Sequence, residues 1–198
     1  MKLIFISGPS GSGKTTLSNQ IIVKIKNGIV LSTDNYYKTG LISKICSKFI
    51  EGYFDKSISF NSKLFKKDFN FVLHNGTSIY QRSYNFKKKM IISTLNEINN
   101  INFLIVEGIF AKEFSSHLFN KNYFFLELKI NKNECMKRVV QRDINERGKA
   151  KKQAEIDFIK SWDIYYAKFN NKSIKNNANE FIITKNTNID NLVKRLLN

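Results

Sequence analysis

Nine residues near the start of the chain, Gly8-Pro9-Ser10-Gly11-Ser12-Gly13-Lys14-Thr15-Thr16, have the types and spacing needed to hold a row of phosphates. They match the pattern G-x-x-x-x-G-K-[ST]. Glycines 8, 11 and 13 let the backbone bend tightly and aim successive N–H groups into a nest for anionic oxygens. The positive end of a following helix adds to that field. Lys14 can reach the β- and γ-phosphates, and the Thr15 hydroxyl can hold Mg²⁺. The pattern has this meaning only between a strand and a helix. Leu3-Ile4-Phe5-Ile6 before it reads as a buried strand, and Leu17, Ile21, Ile22 and Ile25 after it suit one face of a helix. The stretch therefore predicts binding of a nucleoside triphosphate.

Two carboxylates stand where strands of such a sheet should end. Asp34 follows the short strand expected at Gly28–Ser32, and ligands of a doubly wound sheet lie beyond the carboxyl ends of strands. A carboxylate there can take the proton of a substrate hydroxyl while its oxygen attacks the γ-phosphate. A helix N-cap or a turn would use the same residue type. Glu107 ends the apolar run Phe103-Leu104-Ile105-Val106, a placement suited to helping hold Mg²⁺, often through water. Capping or a salt bridge is its ordinary alternative. Arginine is scarce in this lysine-rich chain, yet three of its five copies, Arg138, Arg142 and Arg147, fall in one short segment. A guanidinium kept where lysine prevails suggests a need for its planar fork, as in phosphate clamping. A surface pair such as Arg142 with Glu146 at helical spacing is the competing account.

The elements that must position these groups follow from periodicity. A helix is expected over 62–73, capped by Asn61 or Ser62, with Leu64, Phe65, Phe69, Val72 and Leu73 as its buried stripe. A short strand is expected over 77–80 and another over 123–130. A helix over 131–146 leads through the basic break Arg147-Gly148-Lys149-Ala150-Lys151-Lys152 into a second helix over 153–169. Helix, basic turn and helix beside a triphosphate site form the layout of a mobile lid, placed at 138–160. A polar connector over 170–179, a strand over 180–184 and a closing helix over 189–197 complete the reading. Residues 38–60 show no clear period, and 81–100 are ambiguous. Together 38–100 read as a substrate-binding insertion in a single α/β domain spanning 1–198.

Composition sets outer bounds. The chain has 198 residues, 42% hydrophobic and 13% aromatic, enough for one α/β core. No apolar run approaches a membrane span, so no membrane partner and a cytoplasmic location are expected. Cys46 and Cys135 lie far apart and make no metal-ligand spacing. The net charge of +17 fits a nucleic-acid partner, but the lysines are scattered and a solvated surface around an anion site explains them more simply.

Read in order, the motifs resemble the uridine kinase and phosphoribulokinase family of P-loop kinases over nearly the whole chain. The matching pieces are GPSGSGKTT at 8–16, STDNYY at 32–37, YFD at 53–55, IY at 79–80, VEGI at 106–109 and QRDINERG at 141–148. The resemblance implies a P-loop fold with a five-stranded parallel sheet flanked by helices. It implies an ATP- and Mg²⁺-dependent kinase whose acceptor is a small molecule, with Asp34 as the catalytic carboxylate. Tyr37, Asp55 and Tyr80 match positions that contact the nucleoside, and Arg142 and Arg147 match lid arginines that approach the phosphates. Lys149 stands where the family has a further lid arginine, Asp157 where it has a glutamine, and Gln81 breaks its Tyr-Asp pair. The family often forms homo-oligomers.

The preferred acceptor is the 5′-hydroxyl of uridine or cytidine. The alternatives are another small hydroxyl compound, a polynucleotide 5′-hydroxyl, and a P-loop module that transfers nothing. Lys14→Ala should remove most phosphoryl transfer, because the lysine neutralises charge developing between the β- and γ-phosphates. Initial rates of ADP release by the purified variant check this, and turnover like the parent's would refute the assignment.

Overall fold

The structure, a computed structural model, describes residues 1–86, 88–98, 100–116, 118, 122–169 and 178–197. Five strands, β1 (Lys2–Ser7), β2 (Gly28–Ser32), β5 (Phe103–Glu107), β6 (Tyr123–Leu128) and β7 (Ala178–Ile183), form one parallel sheet in the order β2-β5-β1-β6-β7. Alternation along β1 builds a core on each face. Leu3 and Phe5 point into one cluster, whereas Ile4 and Ile6 point into the other.

The Ile4 and Ile6 side packs against two helices, α1 (Lys14–Lys24) through Leu17 and Ile21, and α7 (Ile189–Leu197) through Leu192, Val193 and Leu196. The opposite side is aromatic. There α3 (Ser62–Asn75) and the short α4 (Ala111–Ser115) bring Phe69 and Phe114 onto Phe5, with Phe65 packed against both. Phe65 and Phe114 meet edge-on with centroids 4.7 Å apart, a preferred geometry for ring quadrupoles. Asn61 caps α3 by accepting from the Leu64 N–H, and Gly76 ends it.

The insertion at 38–100 holds two elements that periodicity did not reveal. One is α2 (Gly40–Phe49), whose apolar Leu41, Ile42, Ile45 and Phe49 are exposed and whose one buried residue is Ser43. The other is the antiparallel hairpin of β3 (Ser78–Asn85) and β4 (Met90–Glu97). The strand expected over 77–80 is the start of β3, which runs five residues further. The lid segment is a helical pair, α5 (Lys132–Arg147) and α6 (Lys151–Phe169), with Gly148 in the left-handed conformation ending α5. Of the connector expected over 170–179, residues 170–177 lie outside the described residues. Among those described, no helix is long and apolar enough to cross a membrane.

An ion pair inside the insertion joins α3 to the hairpin, and the turn after β2 is tied to it through Tyr36. Asp68 on α3 is fully buried; it accepts from the Tyr36 hydroxyl at 3.0 Å and from both Nε and Nη2 of Arg82 on β3. The forked guanidinium satisfies both carboxylate oxygens, which a buried charge requires. Removing Arg82 strands the fully buried Asp68 carboxylate without its opposite charge. Arg82→Ala should therefore lower unfolding stability by about 3–5 kcal/mol. Urea unfolding checks this, with Asp68→Ala/Arg82→Ala expected to be less damaging than the sum of the two single changes.

Candidate active site

The register of the sheet brings the expected groups together. Glu107 at the end of β5 lies level with Ile6 of β1 on one side and Ser32 of β2 on the other. The phosphate loop leaves β1, and the Asp34 turn leaves β2, so loop and both carboxylates gather at one edge. Strand order changes direction at β1, the position where such sheets bind ligands.

Lys14 is buried, and its ammonium donates to the carbonyls of Gly8 and Pro9, each at 3.0 Å. Glu107 is 3% exposed; burial raises its pKa and the Asp34 charge adds to that, while Lys14 and the hydroxyls of Ser32 and Thr15 act the other way. Asp34 reaches the site because residue 108 is glycine. Gly108 has φ +131°, and a Cβ there would fall 1.9 Å from Thr33 Oγ1 and 3.2 Å from Asp34 Oδ1. Thr33 Oγ1, Asp34 Oδ1 and Ser12 Oγ are buried with no protein partner. Of the three, Asp34 borders the cavities of the site, and a buried oxygen without a partner there calls for a polar ligand.

Thr15, Glu107 and Asp34 supply hard oxygens, the donors that Mg²⁺ selects. No group of three or more His, Cys, Asp and Glu side chains occurs among the described residues.

Two cavities open here. The smaller, of about 210 Å³, is lined by Ser10, Gly11, Gly13, Lys14, Thr15 and Thr16 of the loop and by Arg138 and Arg142. The larger, of about 580 Å³, runs between the insertion and the lid and takes in Tyr37, Tyr53, Phe54, Asp55, Phe86, Arg147, Lys149 and Asp157. Ser10, Asp34, Val139 and Arg142 line both. Asp34 thus stands at the junction of a phosphate cavity and a cavity of a size that suits a small molecule.

The lid cations are gathered by a residue that the sequence reading passed over. Asp143 is buried; it accepts from Arg142 Nη2 at 2.9 Å, and it lies 3.3 Å from Arg147 Nη1 and 3.0 Å from Lys149 Nζ. Burial raises its pKa, but Arg147, Lys149 and Arg142 together outweigh this and leave it lowered. Arg142 pairs with Asp143 rather than with Glu146 as its surface alternative proposed. Because α5 ends at Arg147, a single carboxylate can reach side chains on both sides of the helix end. Arg147 also packs over the Phe86 ring, 4.4 Å from its centroid, and its burial lowers its pKa. Lys149 binds Asp157 at 2.7 Å, so the two positions that depart from the family's pattern partner each other.

Not every expected residue arrives. Tyr80 lines neither cavity; it packs on Phe71 of α3 with Arg82 stacked on its ring. Tyr84 shares its strand face, and four residues at 3.3 Å each place it about 13 Å further along. It is therefore Tyr84, with Phe86 beyond it, that packs against Tyr37. Glu107 lines neither cavity directly; the Thr15 hydroxyl stands between it and the phosphate-loop cavity side. Arg138, noted for its place in the arginine group but not assigned to the site, donates to the Gly11 carbonyl at 3.2 Å and lines the phosphate cavity.

Comparison with known proteins agrees with this geometry. The uridine kinase of Ureaplasma parvum serovar 3 is 28% identical over 187 residues, covering 91% of this chain and 87% of its own. The uridine kinase of Borrelia duttonii is 30% identical over 173 residues, covering 85% and 80%. The D-glycerate 3-kinase of Cryptococcus neoformans shares the fold, with a TM-score of 0.64 at 13% identity over 92% of this chain and 86% of that one. The model of the phosphoribulokinase / uridine kinase family matches residues 3–176, and the chain belongs to that family, as a kinase that phosphorylates an alcohol group.

Proposed function

We propose that the chain transfers the γ-phosphate of ATP to a primary hydroxyl of a small molecule, and that the acceptor is the 5′-hydroxyl of uridine or cytidine. The observation that carries this reading is the shared wall of the two cavities. Asp34 faces both, so a nucleotide in the smaller and an acceptor in the larger meet at a carboxylate with an unpartnered oxygen.

Each residue then has a task. Asp34 takes the proton of the acceptor hydroxyl as that oxygen attacks. Lys14, Arg138 and Arg142 meet the phosphate charge, and Arg147 adds its own from the acceptor side. Asp143 keeps Arg142 and Arg147 oriented, so little reorganisation remains when phosphates arrive. Thr15 and Glu107 would hold Mg²⁺, which when bound neutralises charge on the phosphate oxygens. Asp55 and Tyr37 belong to the acceptor side, where a half-buried carboxylate suits sugar hydroxyls and Tyr37, Phe54 and Phe86 supply flat apolar surface. The named activity of the Ureaplasma and Borrelia relatives supports a nucleoside acceptor.

Asp34→Asn should retain ATP binding and lose about 10²–10⁴-fold in turnover, the range of general acid–base help. Steady-state rates beside ATP titrations check this; equal losses of affinity and turnover would assign Asp34 to metal or structure. A panel of nucleosides, other small alcohols and a 5′-hydroxyl oligonucleotide tests the acceptor. Uridine or cytidine should give the highest kcat/KM with little dependence on salt. Activity confined to the oligonucleotide and falling steeply with salt would refute the reading.

A further inference from the structure

Asp55, the carboxylate on the acceptor side, is not held in place by its own segment. It ends a single turn, Tyr53–Asp55, in the insertion, and its Oδ1 accepts a hydrogen bond of 2.7 Å from the Ser161 hydroxyl on α6. Both residues line the large cavity, and both border a small void shared with Ser10 of the phosphate loop. Around this bond α6 is fastened to the same stretch of the insertion. Lys160 pairs with Glu51, and Lys168 binds Ser57. Gly52 has φ +61°, and a Cβ there would fall 2.4 Å from Ile164 Cδ1, so the Ile164 side chain of α6 packs directly on the Gly52 backbone.

We infer that Ser161 is a positioning residue for the acceptor: its hydroxyl, carried by the second lid helix, aims the Asp55 carboxylate at the hydroxyl groups of the substrate. The inference rests on the proposed role of Asp55 and adds that the acceptor site is completed by the lid. The physical reason is geometric. A carboxylate on a three-residue turn can rotate about its side-chain bonds, and fixing one oxygen leaves the other in a defined direction. A serine hydroxyl both donates to Asp55 and keeps its lone pairs free, so it supports a carboxylate without competing for its charge. Closing α6 onto the insertion therefore does two things together, covering the cavity and orienting the group that grips the acceptor.

The electrostatics give this positioning a signature. Burial raises the pKa of Asp55; the Ser161 hydrogen bond lowers it, Asp34 raises it, and Arg147 and Lys149 lower it. Those groups come from the turn after β2, from the end of α5 and from the break before α6, and Ser161 from α6 itself. Only the ionised carboxylate accepts from a substrate hydroxyl with full strength. Acceptor kcat/KM should thus fall as pH drops through the Asp55 pKa. Without the serine hydroxyl that pKa rises, and the acid limb moves to higher pH.

The test compares Ser161→Ala, Ser161→Thr and Asp55→Asn in the full chain, with uridine and cytidine as acceptors. Ser161→Ala should raise acceptor KM about tenfold, leave the KM for ATP unchanged and shift the acid limb upward. Ser161→Thr keeps the hydroxyl and should restore both. Asp55→Asn should raise acceptor KM further and remove the acid limb. If Asp55→Asn behaves so while Ser161→Ala matches the parent in KM and pH profile, the positioning role is overturned and Asp55 keeps its own. If Asp55→Asn leaves acceptor KM unchanged, the underlying assignment of Asp55 fails. Equal rises in KM for ATP and acceptor in Ser161→Ala, with a lower unfolding midpoint, would mark the serine as merely structural and also overturn the inference.

Discussion

A buried ammonium with neutral partners alone is an unfinished structure. Lys14 is withdrawn from water and hydrogen-bonded to two carbonyls of its own loop, and no carboxylate among the described residues lies within ion-pair distance. Burying a charge costs several kcal/mol unless an opposite charge answers it. The loop is held in this state by the sheet, because β1 on one side and α1 on the other fix both ends. Everything around it follows the same logic. Glu107 sits near enough to feel the lysine charge but is engaged by Ser32 and Thr15, and Asp34 keeps one oxygen unpartnered. On the proposed reading, the triphosphate supplies the opposite charge that Lys14 lacks, and Mg²⁺ is the hard cation that the oxygens of Thr15 and Glu107 suit.

The lid solves a second electrostatic problem. Arg142, Arg147 and Lys149 would repel one another, yet all three must reach one region. Asp143 lets them converge, and Asp157 takes the remaining demand of Lys149. The helix end at Gly148 is what makes the geometry available, since side chains five residues apart on a continuous helix point well away from each other. The Lys149–Asp157 pair also suggests how two departures from the family's pattern remain compatible: an arginine-to-lysine change loses a fork, and a carboxylate opposite restores a fixed direction for the ammonium.

The parts of this site legible in the sequence were those fixed by local spacing. Gly8 to Thr16, Asp34 and Glu107 each sit at a strand end, and a strand end is visible in a run of apolar residues. Asp143 and Asp68 were hidden because their meaning is tertiary: each looks like a polar residue on a helix surface until the packing removes its water. Gly108 gave no signal either, since its value lies in what a Cβ would strike on another loop. The helix α2 was missed because its apolar residues face outward, so periodicity could not be tied to a core. Strand β4 is exposed along almost its whole length and offered no alternation. Tyr80 was placed by motif resemblance, and the register of a strand decided otherwise, sending it toward α3 while Tyr84 packs on Tyr37 and Phe86 reaches the cavity.

The central claim is that nucleotide and acceptor occupy two adjoining cavities with Asp34 at their junction. A bisubstrate compound, adenosine and uridine joined through their 5′ oxygens by a chain of phosphates, tests it most directly. Inhibition should be competitive with both ATP and the acceptor, with affinity at least 10²-fold tighter than either nucleoside fragment, because one molecule gains both sets of contacts without a second loss of translational freedom. Inhibition competitive with ATP alone, at the affinity of a simple adenine nucleotide, would contradict the account.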